Sequence, residues 1–173
     1  ATIFVIVDYV GKKNTWDVNW FGQKEEHLNW LELRNLNSAG FLIGSHTLTH
    51  CDLTRLSSEK QIIKELENSR KILEDKLGNK VEYLAYPFGR TNQRIIELAQ
   101  QVGYKAAFIM GGIRQKKLKS EMTIKRRGVY WFDNLRSFKR KLDLGNNFED
   151  YKGKLINWLA GGTPLWKQLI GRY

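Results

Sequence analysis

Short apolar runs alternate along the chain with longer segments whose apolar positions follow a helical period. The apolar runs predict five β-strands, at residues 2–7, 40–45, 81–86, 104–109 and 124–131. The first run is apolar on both alternating faces, which is typical of a parallel strand with a neighbour on each side. Helices are predicted between the runs, over about 30–39, 57–77 and 92–102. Strands that alternate with helices predict an α/β fold with a parallel sheet.

The longest helix carries signals at both of its ends. Ser57 or Ser58 can cap its start, with Ser58 and Gln61 at the spacing of a capping box, and Gly78 marks its stop. Its inner face is predicted to contain Ile62, Leu66, Ser69, Leu73 and Leu77.

Composition and charge indicate one globular domain with a basic surface. The 173 residues are 42% hydrophobic, and a single cysteine excludes an internal disulfide. The net charge is +11, and residues 112–141 hold eleven Lys or Arg residues against only Glu121 and Asp133. Such a stretch can attract acidic glycan or phospholipid head groups, although a simply solvated face is the favoured interpretation. No nucleic-acid-binding motif accompanies it, so no nucleic acid partner is expected.

The character of the chain changes after Gly145. A helix is predicted from about 148 to 159, and the segment LWKQLIGRY at the end combines tryptophan and leucine with scattered basic residues. We expect residues 1–145 to form the main domain and residues 146–173 to form a helical extension packed on it. A peripheral membrane or envelope contact through this tail and the basic face is the alternative.

Two of the three histidines, His46 and His50, lie four residues apart directly after the apolar run at 41–43. Two imidazoles one helical turn apart point the same way and can hold a metal ion, whereas a pair of capping or core histidines is the alternative on spacing alone. Their position at the carboxyl end of a strand favours a ligand site, because α/β sheets bind ligands there.

A second motif, LAYPFGR at residues 84–90, follows another predicted strand. Pro87 fixes its own φ and Gly89 permits a tight turn, so the backbone is rigid and its N–H groups can be aimed at a ligand. Donors preset in this way suit an oxyanion hole. A plain turn between a strand and a helix is the competing interpretation.

Together, HTLTH and AYPFG resemble the histidine motif and the following motif of the polysaccharide deacetylase family, which has the NodB-homology domain. The resemblance extends to ATIFVIVDYVG and LSSEKQIIKELENSRKILEDKLG and covers residues 1 to about 142. It implies a distorted or incomplete (β/α) barrel of about five parallel strands. It also implies a metal-dependent hydrolase that removes acetyl groups, N-acetyl groups above all, from an amino-sugar polysaccharide or a glycan precursor.

The resemblance also implies roles for individual residues. His46 and His50 would bind a divalent metal, zinc in the first place, with cobalt or nickel as alternatives. The backbone N–H of Phe88 would stabilise the oxyanion. Contacts to the acetylated glycan are expected at Tyr86, Pro87, Gly89 and Arg90. Trp131, which follows the last predicted strand, is a candidate sugar-stacking residue, with a core tryptophan as the equal alternative. The family resemblance favours the cell envelope as the compartment, which the sequence itself leaves unknown.

The chain departs from the family pattern in three places. The motif TFDD, whose aspartates supply the general base and the third metal ligand, normally precedes the strand with which this chain begins, so we expect a missing N-terminal piece. Ala85 replaces an arginine found in many relatives. No late leucine-histidine motif supplies the general acid, and His27 is expected at the surface.

Other side chains in this chain could replace the missing ligand, although none is favoured. The carboxylates considered are Asp8, Asp17, Asp52 and Asp133, and Cys51 is a less favoured thiol ligand beside His50. A different metallohydrolase that recruits Asp8 or Asp52 is the last-ranked hypothesis. The main alternative to a deacetylase is a catalytically inactive, glycan-binding or scaffold relative that lacks the catalytic aspartates.

Overall fold

A computed structural model describes residues 1–15, 25–110, 120–129 and 133–142. Five strands are present: β1 (Thr2–Val5), β2 (Leu42–Ser45), β3 (Tyr83–Ala85), β4 (Ala106–Met110) and β5 (Ile124–Arg126). Four helices accompany them: α1 (Trp30–Ser38), α2 (Glu59–Leu77), α3 (Gln93–Val102) and α4 (Leu135–Leu142). Single 3-10 turns occur at Val7–Tyr9, Leu53–Arg55, Pro87–Gly89 and Glu121–Thr123.

The five strands form one sheet in the order β1-β2-β3-β4-β5, and every neighbouring pair is parallel. The predicted α/β fold with five parallel strands is therefore confirmed. The strands are shorter than predicted, and β5 ends at Arg126, because residues 127–129 make no ladder. All carboxyl ends lie at one edge, where His46 follows β2 and the Pro-Phe-Gly turn follows β3.

One face of the sheet packs on the helices and forms the core. Val5, Ile43, Leu84, Ala107 and Ile109 alternate along the strands and are all buried on this face. Helix α2 covers them with the predicted inner face, of which Ile62, Leu66, Ser69 and Leu73 are buried and Leu77 is partly buried. The hydroxyl groups of Ser45 on β2 and Ser69 on α2 lie 2.9 Å apart, which joins the two layers by a hydrogen bond.

The opposite face of the sheet is concave. The rings of Phe4 on β1 and Phe108 on β4 lie 5.3 Å apart, although two strands separate them. In a flat sheet those strands would be roughly 14 Å apart, so the sheet curls toward a barrel. Gly44 makes room for this contact, because a Cβ at that position would lie 2.7 Å from the Phe4 ring.

The helix boundaries agree with the sequence signals in most places. Gly78 and Gly103 adopt left-handed conformations and end α2 and α3. Ser58 occupies the N-cap position of α2, but its side chain makes no capping hydrogen bond, so the predicted capping box is wrong. A capping box occurs instead at Asn29 and Glu32, at the start of α1. Helix α4 has no counterpart in the sequence prediction.

Several predictions fall on residues outside the described part of the chain. These are the helix at 148–159, the extension at 146–173, Asp17 and Trp131. None of the helices that the structure describes combines the length and the apolar character needed to cross a bilayer.

Candidate functional site

The two histidines are carried by a loop and not by a helix. Thr47 and His50 have positive φ angles of 67° and 62°. The Ser45 hydroxyl accepts a hydrogen bond from the Thr47 N–H at 3.1 Å, and the Thr47 hydroxyl accepts one from the His50 N–H, also at 3.1 Å. These side-chain contacts stabilise an irregular backbone that an unassisted chain disfavours. The expectation that a helical turn aligns the imidazoles is therefore wrong.

The loop nevertheless brings the two imidazoles together. Their ring centroids lie 4.7 Å apart, with an angle of 71° between the ring planes. His46 Nδ1 lies 2.6 Å from the carbonyl oxygen of Ala85 on β3. Because a carbonyl only accepts, His46 carries its proton on Nδ1 and keeps the lone pair of Nε2 for a ligand.

Burial keeps His46 neutral. It lowers the pKa of His46 to about 4, an effect that the hydrogen bond to Ala85 opposes and the charge of Arg126 reinforces. A neutral imidazole with one nitrogen fixed by a backbone carbonyl is the form in which histidine binds metal ions. The chemistry of this pair therefore fits a divalent metal with His46 and His50 as two of its ligands.

Helix α2 holds the histidine loop through one buried carboxylate, Glu65. Its Oε2 accepts hydrogen bonds from the N–H groups of Leu48 at 3.0 Å and Thr49 at 2.9 Å, and its Oε1 accepts one from the Thr49 hydroxyl at 2.7 Å. Three donors converge on one charged group inside the protein, where such bonds are strong. Glu65 was not among the predicted site residues, although its place next to Leu66 on the predicted inner face of α2 is a signal that could have identified it.

The Pro-Phe-Gly turn lies against the same histidines. Phe88 has a φ of 56°, and its ring centroid is 4.9 Å from that of His50. The N–H groups of Gly89 and Arg90 donate within the turn, to Tyr86 and Pro87, whereas the Phe88 N–H makes no hydrogen bond to a described residue. Gly89 is required here, because a Cβ would lie 2.4 Å from the Met110 nitrogen. The oxyanion role of Phe88 stays a prediction.

The expected glycan contacts occupy different environments. The side chain of Tyr86 is fully buried, and burial raises its pKa. Pro87 and Gly89 are buried as well, so these residues shape the turn and offer little surface to a polymer. Arg90 Nη1 lies 2.7 Å from the carboxylate of Asp52, which ties the turn to the end of the histidine loop. Their contacts to glycan stay predictions.

The carboxylates considered as replacement ligands are engaged elsewhere or exposed. Asp52 is 2% exposed, and one of its oxygens accepts from the N–H and hydroxyl of Thr54 while the other faces Arg90. Asp133 binds Lys141 and the Ser137 hydroxyl, and Asp8 is exposed. Within the described ranges, no group of three or more potential ligands is placed to hold a metal ion.

Cys51 is a poor replacement for the missing ligand. Burial, and then the charge of Glu65, raise the pKa of its thiol to about 12. A thiol binds a metal ion as the thiolate, which this environment disfavours.

A groove of about 220 Å³ lies beside β1, and His46 forms part of its lining. Its walls are mostly apolar and include Phe4, Val10, Leu28 and Leu33. His27 also lines the groove and is partly buried, with a pKa lowered by burial, so its predicted surface position holds only in part. The groove thus places an apolar surface beside His46.

Comparisons with known proteins agree with this architecture. The family model for polysaccharide deacetylases matches residues 1–107. YxkH of Bacillus subtilis, which is named as a polysaccharide deacetylase, is 28% identical over 105 residues, or 61% of this chain and 33% of YxkH. The chain therefore spans about a third of the length of that relative.

Solved structures show the same fold. BC0361, a polysaccharide deacetylase from Bacillus cereus, superposes with a TM-score of 0.56 at 26% identity, covering 72% of this chain and 36% of BC0361. A de-N-acetylase from Aggregatibacter actinomycetemcomitans gives a TM-score of 0.59 at 17% identity, covering 80% of this chain and 63% of that one. With the family model matching more than half of its residues, this chain belongs to the polysaccharide deacetylase family.

Proposed function

We propose that the chain forms the histidine half of a metal-dependent deacetylase site that removes acetyl groups, N-acetyl groups above all, from an amino-sugar polysaccharide or a glycan precursor. The observation that carries this proposal is the pair of imidazoles 4.7 Å apart at the carboxyl end of β2. Family membership supports the reaction type, and the de-N-acetylase with the same fold supports the choice of an N-acetyl group.

His46 and His50 would hold the metal ion, for which zinc is the first candidate and cobalt or nickel are alternatives, since neutral imidazoles bind all of these divalent ions. The metal would supply an activated water and polarise the acetyl carbonyl. A catalytic zinc site normally has three protein ligands, and the described residues supply two. The third ligand and the general base are therefore expected outside the described residues.

Two backbone groups of this chain, the Phe88 N–H and the Ala85 carbonyl, would assist the reaction. Water adds to the acetyl carbon, the C–N bond breaks, the sugar nitrogen leaves as an amine with the proton from water, and acetate is released. The Phe88 N–H would donate to the oxygen that becomes negative during the addition. The Ala85 carbonyl would keep His46 in one tautomer throughout.

The partner implied by this reaction is an acetylated glycan. The basic residues within 112–141 would favour an acidic polymer or an envelope surface by long-range attraction. Such an attraction acts through charge, so the association should weaken as the salt concentration rises.

Metal binding by the 173-residue chain tests the proposal. Zinc, cobalt and nickel are titrated into the wild type, a His46→Ala, His50→Ala double variant and a His27→Ala control, with bound metal measured after gel filtration. We expect one metal ion per chain in the wild type and the control, and none in the double variant. Acetate release from an N-acetylglucosamine oligomer is then measured with the loaded chain.

Equal binding by the double variant would overturn the assignment of the two histidines. Metal binding that depends on the histidines, without acetate release, would instead favour the inactive, glycan-binding relative.

A further inference from the structure

Arg126 lies at the same edge of the sheet as the histidines, and the proposed reaction gives it no role. It is the last residue of β5, and its register partner is Met110, the last residue of β4. Side chains alternate along a strand, so Arg126 projects on the face that carries Met110 and Phe108. Phe4 and Gly44 share that face, and His46 continues the alternation from Gly44, because its N–H still donates to the Val5 carbonyl at 2.8 Å. Arg126 and His46 therefore project from the same concave face at the same edge.

The guanidinium packs on an aromatic ring. Its central carbon lies 5.4 Å from the centre of the Phe4 ring, and Phe4 belongs to the first strand of the sheet whereas Arg126 belongs to the last. This contact crosses the concave face and places the cation over its interior. A guanidinium stacked on a ring keeps its N–H groups at its edges, where they can bind a planar anion.

The described residues do not compensate this charge. Arg126 is partly buried, and its Nε is shielded from solvent without a hydrogen-bond partner among them. No described carboxylate forms an ion pair with it either. Burial in this position lowers the pKa of Arg126. Removing a cation from water without pairing it with an anion costs free energy. An anionic ligand beside Arg126 would recover part of that cost.

We propose that Arg126 is an acetate-binding residue, which holds the carboxylate released by deacetylation against the concave face beside the histidines. The inference rests on the proposed function for the choice of acetate. A metal ion on His46 and His50 would bring a second positive charge to this face, and a carboxylate between the two cations would then be stabilised by both. The rings of Phe4 and Phe108 provide the apolar surface for the methyl group.

Acetate binding in EDTA tests this inference separately from metal binding and from catalysis. Acetate is titrated into the 173-residue chain and its methyl signal is followed by saturation-transfer NMR. The variants are Arg126→Gln, Arg126→Lys and the control Lys125→Gln, whose exposed side chain projects from the other face of β5. Acetamide, a neutral ligand of the same shape, is the matched control for the charge. Circular dichroism verifies that each variant is folded.

We expect saturable acetate binding by the wild type and by Lys125→Gln, and a loss of about ten-fold or more in Arg126→Gln. The acetate affinity of Arg126→Lys should lie between these two, because lysine keeps the positive charge but lacks the planar guanidinium. If Arg126→Gln does not fold, Arg126→Lys replaces it in the test. The inference is overturned if the wild type does not bind acetate, if it binds acetamide equally well, or if Lys125→Gln is weakened as much as the Arg126 variants. Acetate binding that depends on Arg126 in a chain without hydrolytic activity would uphold it while the proposed function failed.

Discussion

The two faces of the sheet differ in how completely they are covered. On the helix-facing side, Leu84 is 0% exposed and lies in a continuous core with α2 and α3. On the concave side, Leu42 is 52% exposed and Ile124 is 40% exposed, although both belong to strands of the same sheet. The histidines, the Pro-Phe-Gly turn and Arg126 lie at the carboxyl edge of the sheet, so the candidate site adjoins the less completely covered face, although His50, Pro87 and Gly89 are themselves buried.

Truncating one leucine on each face tests the difference in packing between the two faces most directly. Leu84→Ala should lower the free energy of unfolding by about 2–5 kcal/mol, because it opens a cavity in a closed core. Leu42→Ala, the same change on the concave face, should cost less than about 1 kcal/mol. Urea denaturation of both variants measures the difference. Similar losses would show that both faces are packed equally, contrary to the observed exposures.

Glu65 links the helix layer to the histidine loop, because it lies on α2 and accepts hydrogen bonds from that loop. Glu65→Gln leaves the donors of Leu48 and Thr49 facing an amide, and should lower the free energy of unfolding by about 1.5–3 kcal/mol. Zinc affinity should fall about 10–100-fold as the loop loosens. Glu67→Gln, on the exposed side of the same helix, is the control. If stability falls and zinc affinity does not, Glu65 supports only the core.

Gly44 tests how tightly the concave face is packed around Phe4. A Cβ at Gly44 would lie 2.7 Å from the Phe4 ring, so Gly44→Ala should cost about 1–3 kcal/mol of stability. Adding Phe4→Leu should recover part of this loss, with a coupling energy of at least about 0.5 kcal/mol in a double-mutant cycle. If the stability losses of the two single variants simply add in thermal and urea unfolding, the side chains at positions 4 and 44 are not in steric conflict.

The smallest expected change in stability concerns Tyr104, which lies in the covered core, and this change depends on pH. The Tyr104 hydroxyl donates to the Leu66 carbonyl at 3.0 Å, so Tyr104→Phe should cost about 1 kcal/mol at pH 7. Burial raises the pKa of Tyr104 from 10.0 to about 12. A raised pKa of this kind adds stability below pH 10, which is lost as the pH rises through 12.

The stability difference between wild type and Tyr104→Phe should therefore narrow above pH 10. Urea titrations at pH 7 and at several values above 10 measure it. A difference that stays constant over this range would mean that Tyr104 titrates normally in the folded chain.

The sequence predicted the elements that depend on local patterns. Apolar runs located all five strands, and Gly78 and Gly103 marked the ends of two helices because a left-handed residue at that position is a local requirement. Helix α4 was not predicted, although Leu135, Phe138 and Leu142 recur at the helical spacing i, i+3 and i+7. These three side chains are exposed in the structure, so this helix leaves an apolar stripe uncovered by the described residues.

The site was predictable only in part. His46 and His50 were identified by their spacing, but the reason they meet is a loop with two residues at positive φ, stabilised by side chains that spacing does not reveal. Glu65 and Arg126 reach the site from a helix and from a strand distant in sequence. Their contributions depend on tertiary contacts, which a single sequence does not display.

The spatial order of the strands is also their order along the chain, and this has a consequence for biosynthesis. Each strand after β1 pairs with the strand translated just before it, so every strand leaves the ribosome when its partner has already been synthesised. The histidine loop and the Pro-Phe-Gly turn follow β2 and β3, whereas Arg126 ends β5. The groups that hold the two imidazoles are therefore all synthesised before the residue proposed to bind acetate.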